Sequence, residues 1–469
     1  MQTEPKEQSP LAVIAAVQLP TVSDVEFDAS VTELGQLAKT LGFRIVRTFT
    51  QKRPRFDSTA YLGEGKREEM RRFIGHQPDL DEDASDAELD DVVESETADA
   101  PAAGADAARS DASASIEAVF VDHEISPSQA RNLETEIGCP VSDRTMVILE
   151  IFHRNARSRA ARAQVEIARL AYMAPRLREL AKIAGPQGRQ RSGTGGRGAG
   201  ESHTELDRRK LRDQISDLKK EIEGMDAERQ TQRARRRERD ELATVALVGY
   251  TNAGKSTLMR ALTASEVLVA DKLFATLDTT VRALQPESTP RILVSDTVGF
   301  IKNLPHGLVA SFKSTLEETL EASLLLHVVD ASDAGWERQV EVTDAVLGEI
   351  GATEVPRIRV FNKIDHVGDA AAQAEREAAL RVLYPECIVM SAQRAEDVVR
   401  LHAAIVGFFS EQLIEAELFL PWSAQQLRGE IFSRCEMIEE RADDEGAFFR
   451  VRGDEATLNS LREHIAAAQ

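Results

Sequence analysis

The residues with the clearest chemical capability lie in Thr244–Leu258, TVALVGYTNAGKSTL. Within it, Gly249-Tyr250-Thr251-Asn252-Ala253-Gly254-Lys255-Ser256 has the G-x-x-x-x-G-K-S spacing of a phosphate-binding loop, and Thr257 opens the helical stretch behind it. The glycines let the backbone wrap tightly, so that successive N–H groups point at phosphate oxygens. Lys255 would bring a point charge to the terminal phosphates, and the Ser256 hydroxyl is a ligand for Mg²⁺. The N-terminus of the following helix adds its positive dipole end.

Three further motifs name the rest of the ligand. Asp296-Thr297-Val298-Gly299 reads D-x-x-G: Asp296 would reach Mg²⁺ through water, and the Gly299 N–H would meet a γ-phosphate. Asn362-Lys363-Ile364-Asp365 reads N-K-x-D, whose aspartate accepts hydrogen bonds from the N1–H and exocyclic amine of guanine. Adenine lacks that donor pair, and the unpaired carboxylate would cost about 1–3 kcal/mol or more. Ser391-Ala392-Gln393 matches an S-A-x loop that supports the base. Four motifs in this order point to GTP as the substrate.

Each motif needs a strand end to hold it, and each closes an apolar run. Val245–Val248, Ile292–Val294, Val360–Phe361 and Val389–Met390 precede the four motifs, and Leu324–Val329 supplies one more strand. Together they predict an α/β fold with one doubly wound P-loop GTPase domain over residues 243–412. Ahead of it, Leu11–Gln18 alternates into a strand. Phe27–Thr40 has helical spacing, Gly42–Thr48 begins a second strand, a turn over Thr59–Lys66 opens a helix at Arg67–Ile74, and Ala118–Val121 is a buried strand. A helix capped near Ser126–Ser128 runs to Glu136, and Val141 and Ile148 flank a further short element. These predict a small parallel α/β domain over residues 1–150, interrupted by an acidic insertion at 79–115. Residues 151–241 predict a long helical hairpin: a glycine-free stretch Arg157–Ile183, then GPQGRQRSGTGGRGAG at 185–200, then a heptad stripe of Leu211, Ile215, Leu218, Ile222 and Met225. At 1.5 Å per residue, 25–30 residues make an arm of about 40 Å. Residues 415–469, with Leu418–Pro421 and the alternating Ala447–Val451, predict a small α+β domain.

The length of 469 residues suits about three domains. No apolar run reaches the roughly 18 residues that a membrane span needs. Cys139, Cys387 and Cys435 are far apart without ligand spacing, which suits a reducing cytoplasm. The net charge of −21 argues against nucleic acid until its distribution is considered. The Asp/Glu/Ala/Ser run of the insertion holds much of the excess and is expected not to fold alone. Arg154–Ala199 carries eleven basic residues against two acids, Glu166 and Glu179, an electrostatic footprint for phosphates. Seven glycines and three arginines in the hairpin tip fit contact with folded RNA, or merely a linker.

Beyond the nucleotide motifs, several segments resemble the HflX family of bacterial ribosome-associated GTPases. They are Tyr61–Lys66 (YLGEGK), Asp122–Glu134 (DHEISPSQARNLE), Asp143–Arg154 (DRTMVILEIFHR), Ala156–Met173, Gly195–Glu205, Leu273–Asp278 (LFATLD) and Asp296–Ile301 (DTVGFI). The resemblance covers nearly the whole chain. It implies binding to the large ribosomal subunit through its RNA, with the arm's tip near the peptidyl-transferase region, and splitting of stalled ribosomes under stress with GTP bound; the chain itself is expected to be a monomer. It also implies a switch segment at Phe274-Ala275-Thr276-Leu277-Asp278, with Thr276 as an Mg²⁺ ligand; Thr279 and Thr280 lie nearby. Lys255, Thr276 and Gly299 are the candidate catalytic residues. Phe300, after D-x-x-G, cannot orient a water as a glutamine would, so intrinsic hydrolysis is expected to be slow. Loops resembling G-x-x-N-x-G-K-S sometimes hold K⁺ with the asparagine; Asn252 either does so or ties the loop to the switch segment. A GTP-gated assembly factor with incidental turnover is the rival reading, and an ATP-driven RNA remodeller a weaker one, opposed by Asp365.

Overall fold

The structure is a computed structural model, and it describes residues 9–75, 115–183, 208–225, 243–264, 273–274, 280–288, 291–302 and 318–468. Nearly all of the acidic insertion, the hairpin tip at 185–200 and the switch positions Ala275, Thr276, Leu277, Asp278 and Thr279 lie outside the described residues. The fold contains two compact units, Met1–Arg144 and Thr145–Gln469.

The first unit is a four-stranded sheet in the order β2-β1-β3-β4, every pair parallel. Its strands are β1 (Leu11–Gln18), β2 (Arg44–Lys52), β3 (Ile116–Val121) and β4 (Val141–Asp143). The crossovers contain α1 (Asp24–Thr40), α2 (Glu64–Gly75) and α3 (Pro127–Ile137). All eight residues of β1 are buried, not alternate ones. A central parallel strand is covered on both faces, so an unbroken apolar run is what it requires. Polar caps mark the helix starts. Ser23 accepts from the Glu26 N–H, and Ser126 and Gln129 form a reciprocal capping box at α3. Helix α2 begins three residues before the expected Arg67, because the chain turns at Tyr61, which is held at φ 68°.

A buried ion cluster closes this unit. Arg144, 2% exposed, donates to Asp122 at 2.9 Å and also to Glu33, while Ser30 Oγ donates to Asp122 at 2.8 Å. Charges this deep persist only when paired.

The second unit begins along α4 (Arg144–Asn155), followed by α5 (Arg159–Ile183) and α6 (208–225). Arg159, at the start of α5, is paired with Glu221, near the end of α6. Two antiparallel helices bring those ends together. Next comes a six-stranded sheet in the order β10-β9-β8-β5-β7-β6. Its strands are β5 (Ala243–Gly249), β6 (Thr280–Ala283), β7 (Ile292–Asp296), β8 (Leu324–Asp330), β9 (Arg357–Asn362) and β10 (Ile388–Val389). Five are parallel; β6 is antiparallel to β7 and was not expected from the sequence. It places Thr280 opposite Asp296 in the ladder. Four residues, Thr280-Val281-Arg282-Ala283, carry too little periodicity to announce an edge strand. Helix α7 (Lys255–Thr263) and helices 336–350, 370–383 and 395–410 flank the sheet.

Strands β11 (Ile414–Pro421), β12 (Glu436–Ala442) and β13 (Gly446–Gly453) form an antiparallel sheet in the order β11-β13-β12. Its buried face holds Leu418, Leu420, Phe449 and Val451 against Leu461 and Ile465 of the closing helix Glu455–Ala467.

Candidate GTP site

The site gathers at the carboxyl ends of β5, β7, β9 and β10, where the parallel order places a crevice. β5 enters the centre of the sheet between β7 and β8, and Val245–Val248 are fully buried. At its end the chain must turn hard beside β8. Gly249 has φ 145°, and a Cβ there would lie 2.1 Å from the Val328 carbonyl oxygen, so only glycine fits. Gly254 has φ 94°, with a would-be Cβ 2.3 Å from Asn362 Nδ2. Asn252 is exposed at φ 59°; Thr251 and Ala253 are buried. Ser256 and Thr257 form the half-buried first turn of α7.

Lys255 is buried, its Nζ donating to Gly249 O at 3.0 Å and Tyr250 O at 2.8 Å. Burial pushes its ammonium down to about 8, partly opposed by Asp296 and reinforced by Lys363. Ser256 Oγ donates to Asp296 Oδ2 at 2.7 Å. This hydroxyl–carboxylate pair is a hard oxygen donor set, suited to a small divalent cation. Thr297, fully buried, anchors the D-x-x-G turn by donating to Leu247 O at 2.6 Å, and Val298 is buried beside it. Gly299 lies so close to the loop that a Cβ would be 2.9 Å from Lys255 Nζ and from Thr251 Cα.

Phe300 is 1% exposed, and its backbone is zipped to the loop. Its N–H donates to Gly249 O at 3.1 Å, and its carbonyl accepts from the Thr251 N–H at 2.7 Å. The Tyr250 hydroxyl accepts from the Lys302 N–H at 2.8 Å.

Asn362 braces the loop and the base-side segment together. Its Nδ2 donates to Ala253 O at 3.0 Å, and its Oδ1 accepts from the Ala392 N–H at 2.9 Å. Lys363, at φ 61°, pairs with Asp330 at 2.8 Å. Ile364 is buried, and its N–H reaches Met390 O at 3.3 Å. Asp365 stays partly exposed beside His366, at 3.4 Å. The Ser391 N–H donates to Asp397, and Ser391 Oγ accepts from the Gln393 N–H. Thus the four motifs come together; Phe274 is described at the edge of the switch segment, and Thr276 lies outside. Asp330 and Asp397 escape sequence reasoning, since each acts on a partner outside any shared motif. Asp397 could have been sought as an acid in the first turn of helix 395–410, but nothing local marks Asp330.

This arrangement on a doubly wound sheet defines a P-loop GTPase domain, and the chain binds and hydrolyses GTP. Residues 244–363 match the family described as 50S ribosome-binding GTPase. Residues 28–89 and 105–153 match "GTP-binding GTPase N-terminal", and residues 155–236 match "GTP-binding GTPase Middle Region". A GTPase HflX of Gluconacetobacter diazotrophicus is 50% identical over 99% of this chain and 100% of its own. One from Caldanaerobacter subterraneus is 36% identical over 92% and 89%, and one from Escherichia coli is 40% identical over 70% and 76%. The chain belongs to the HflX family of GTPases. Among the described residues no helix is long and apolar enough to cross a membrane.

Proposed function

We propose that this GTPase associates with the large ribosomal subunit in the cytoplasm, acting as a monomer, and splits or rescues stalled ribosomes while GTP is bound. The observation that carries this reading is the match of residues 244–363 to a family described as ribosome-binding. The helices ahead of the GTPase domain support it. Arg157, Arg159 and Arg162, at and just before the start of α5, are exposed on a stretch rich in basic residues, as an element that meets phosphates requires.

In this reading the loop N–H groups and Lys255 cradle the phosphates of GTP, and Gly299 senses the terminal one. Asp365 reads guanine, while Asn362 and Ser391 hold the base-side segments in place. Ser256, Asp296 and Thr276 would hold Mg²⁺, which when bound neutralises charge on the phosphate oxygens. Buried Phe300 offers no group to orient water, so slow intrinsic turnover and acceleration by the partner follow.

Sedimentation of ribosomes incubated with the protein and either GTP or a non-hydrolysable analogue tests this. The analogue should shift ribosomes to free subunits and leave the protein on the large one. Protein bound to the large subunit without any splitting would favour a GTP-gated assembly factor. No nucleotide-dependent co-sedimentation would refute ribosome association.

A further inference from the structure

Phe274 precedes the switch position Thr276 by two residues. It lies in the left-handed region, at φ 57°, where L side chains seldom stay without reason. It is 3% exposed, and Leu273 before it is 4% exposed. Two contacts on Phe274 come from the last turn of α4. Asn155 Nδ2 donates to the Phe274 carbonyl at 2.8 Å, and the Phe152 ring packs on the Phe274 ring at 4.5 Å between centroids. Phe152 is fully buried.

These contacts join two functional parts of the second unit. Towards the C-terminus, Phe274 precedes Thr276 by two residues, a reach of at most about 7 Å of chain. Towards the arm, Asn155 ends α4, and Arg159 begins α5 only four residues later. The link is short and tied down: the Ala156 N–H donates to Phe152 O at 2.9 Å, and Ser158 Oγ accepts from the Ala161 N–H at 3.1 Å. A simple packing contact needs neither a left-handed phenylalanine nor a side-chain amide on its carbonyl.

We infer that Asn155 and Phe152 are positioning residues for the GTPase reaction: through Phe274 they set the start of the switch segment, and they couple its state to the base of the helical arm. The inference rests on the reading of Thr276 as the residue that senses the γ-phosphate through Mg²⁺. Coupling of this kind is reciprocal. A ligand that favours one placement of Phe274 also favours one state of the α4–α5 junction, and whatever grips the arm biases nucleotide affinity.

The test uses the full chain with Asn155→Ala, Phe152→Leu and Thr276→Ala, titrated with GDP and with a non-hydrolysable GTP analogue. GDP has no γ-phosphate and should not sense the switch segment. Asn155→Ala and Phe152→Leu should weaken the analogue roughly fivefold, the effect of one net hydrogen bond, with GDP affinity held within about twofold. Hydrogen exchange gives a second readout. In the native chain the Ala156 amide should exchange more slowly with the analogue than with GDP, and Asn155→Ala should abolish that difference. A purely structural contact would lower the melting temperature and move both nucleotides equally, with no nucleotide dependence at Ala156; that result overturns the inference. If Asn155→Ala does not fold, Phe152→Leu carries the same measurements. Thr276→Ala separates the two levels. If it leaves the analogue-to-GDP ratio unchanged, the reading of Thr276 fails and the inference falls with it. If it changes the ratio while the α4 variants do not, only the inference fails.

Discussion

Lys255 makes the nucleotide site a proton acceptor, and this can be measured. Its ammonium is buried among backbone groups, and that burial pushes it down to about 8 from about 10.5. Keeping it charged there costs on the order of 3 kcal/mol. The sign follows from the depressed value. Above 10.5 the lysine is neutral folded or unfolded, so the penalty is absent. As pH falls from 10.5 to 8 the unfolded chain takes up the proton first and stability is lost. Phosphates beside Nζ reverse the preference and favour the charged form. GTP binding should therefore draw in about half a proton at pH 8 and almost none at pH 7. Between pH 7 and pH 8.5 the affinity should drop about fourfold, the ratio of protonated fractions for a group titrating near 8. Calorimetry in buffers of different ionisation enthalpy reads the uptake directly. Lys255→Arg should abolish the uptake whatever its affinity, because a guanidinium stays charged throughout. No uptake at pH 8 in the native chain, or the same uptake in the variant, would refute the reasoning.

Four other outcomes follow from the structure and the sequence. Asp365→Asn removes the acceptor for guanine and should reduce the preference for GTP over ATP by about tenfold or more in competition titrations. His327 is wholly buried, and burial pulls its imidazole down to about 4, against the opposing pull of Asp344. It should be neutral in the fold, so stability is complete above pH 6.5 and is lost as pH falls towards 4; His327→Leu should flatten that limb of a denaturant-midpoint profile. Turnover at equal ionic strength in KCl and NaCl tests Asn252: a potassium stimulation that Asn252→Ala abolishes would place the ion there, and equal native rates would dismiss it. Deleting residues 188–198 should leave GTP affinity intact and weaken co-sedimentation with ribosomes, whereas equal co-sedimentation would reduce the tip to a linker.

The nucleotide motifs were legible because their chemistry is local. Gly249, Gly254, Lys255 and Ser256 act within one turn of chain, so their spacing alone carries a phosphate-binding geometry. The sheet of the GTPase domain was legible for a related reason: a strand covered on both faces must be apolar throughout, as Val245–Val248 is, whereas the alternation expected of Leu11–Gln18 gives way to burial of all eight residues. Helix α2 and strand β6 show the limit, since a turn at Tyr61 and a four-residue edge strand leave no periodic trace. Only the tertiary structure decided who braces whom. Asn362 reaches Ala253 across 109 residues, and Asn155 reaches Phe274 across 119. It also determined that Arg144 would be buried between Asp122 and Glu33. No local pattern encodes such pairs. A side chain's hydrogen-bonding capacity is written in its residue type, but its partner is chosen by the packing of distant elements, and burial then sets how much the pairing matters.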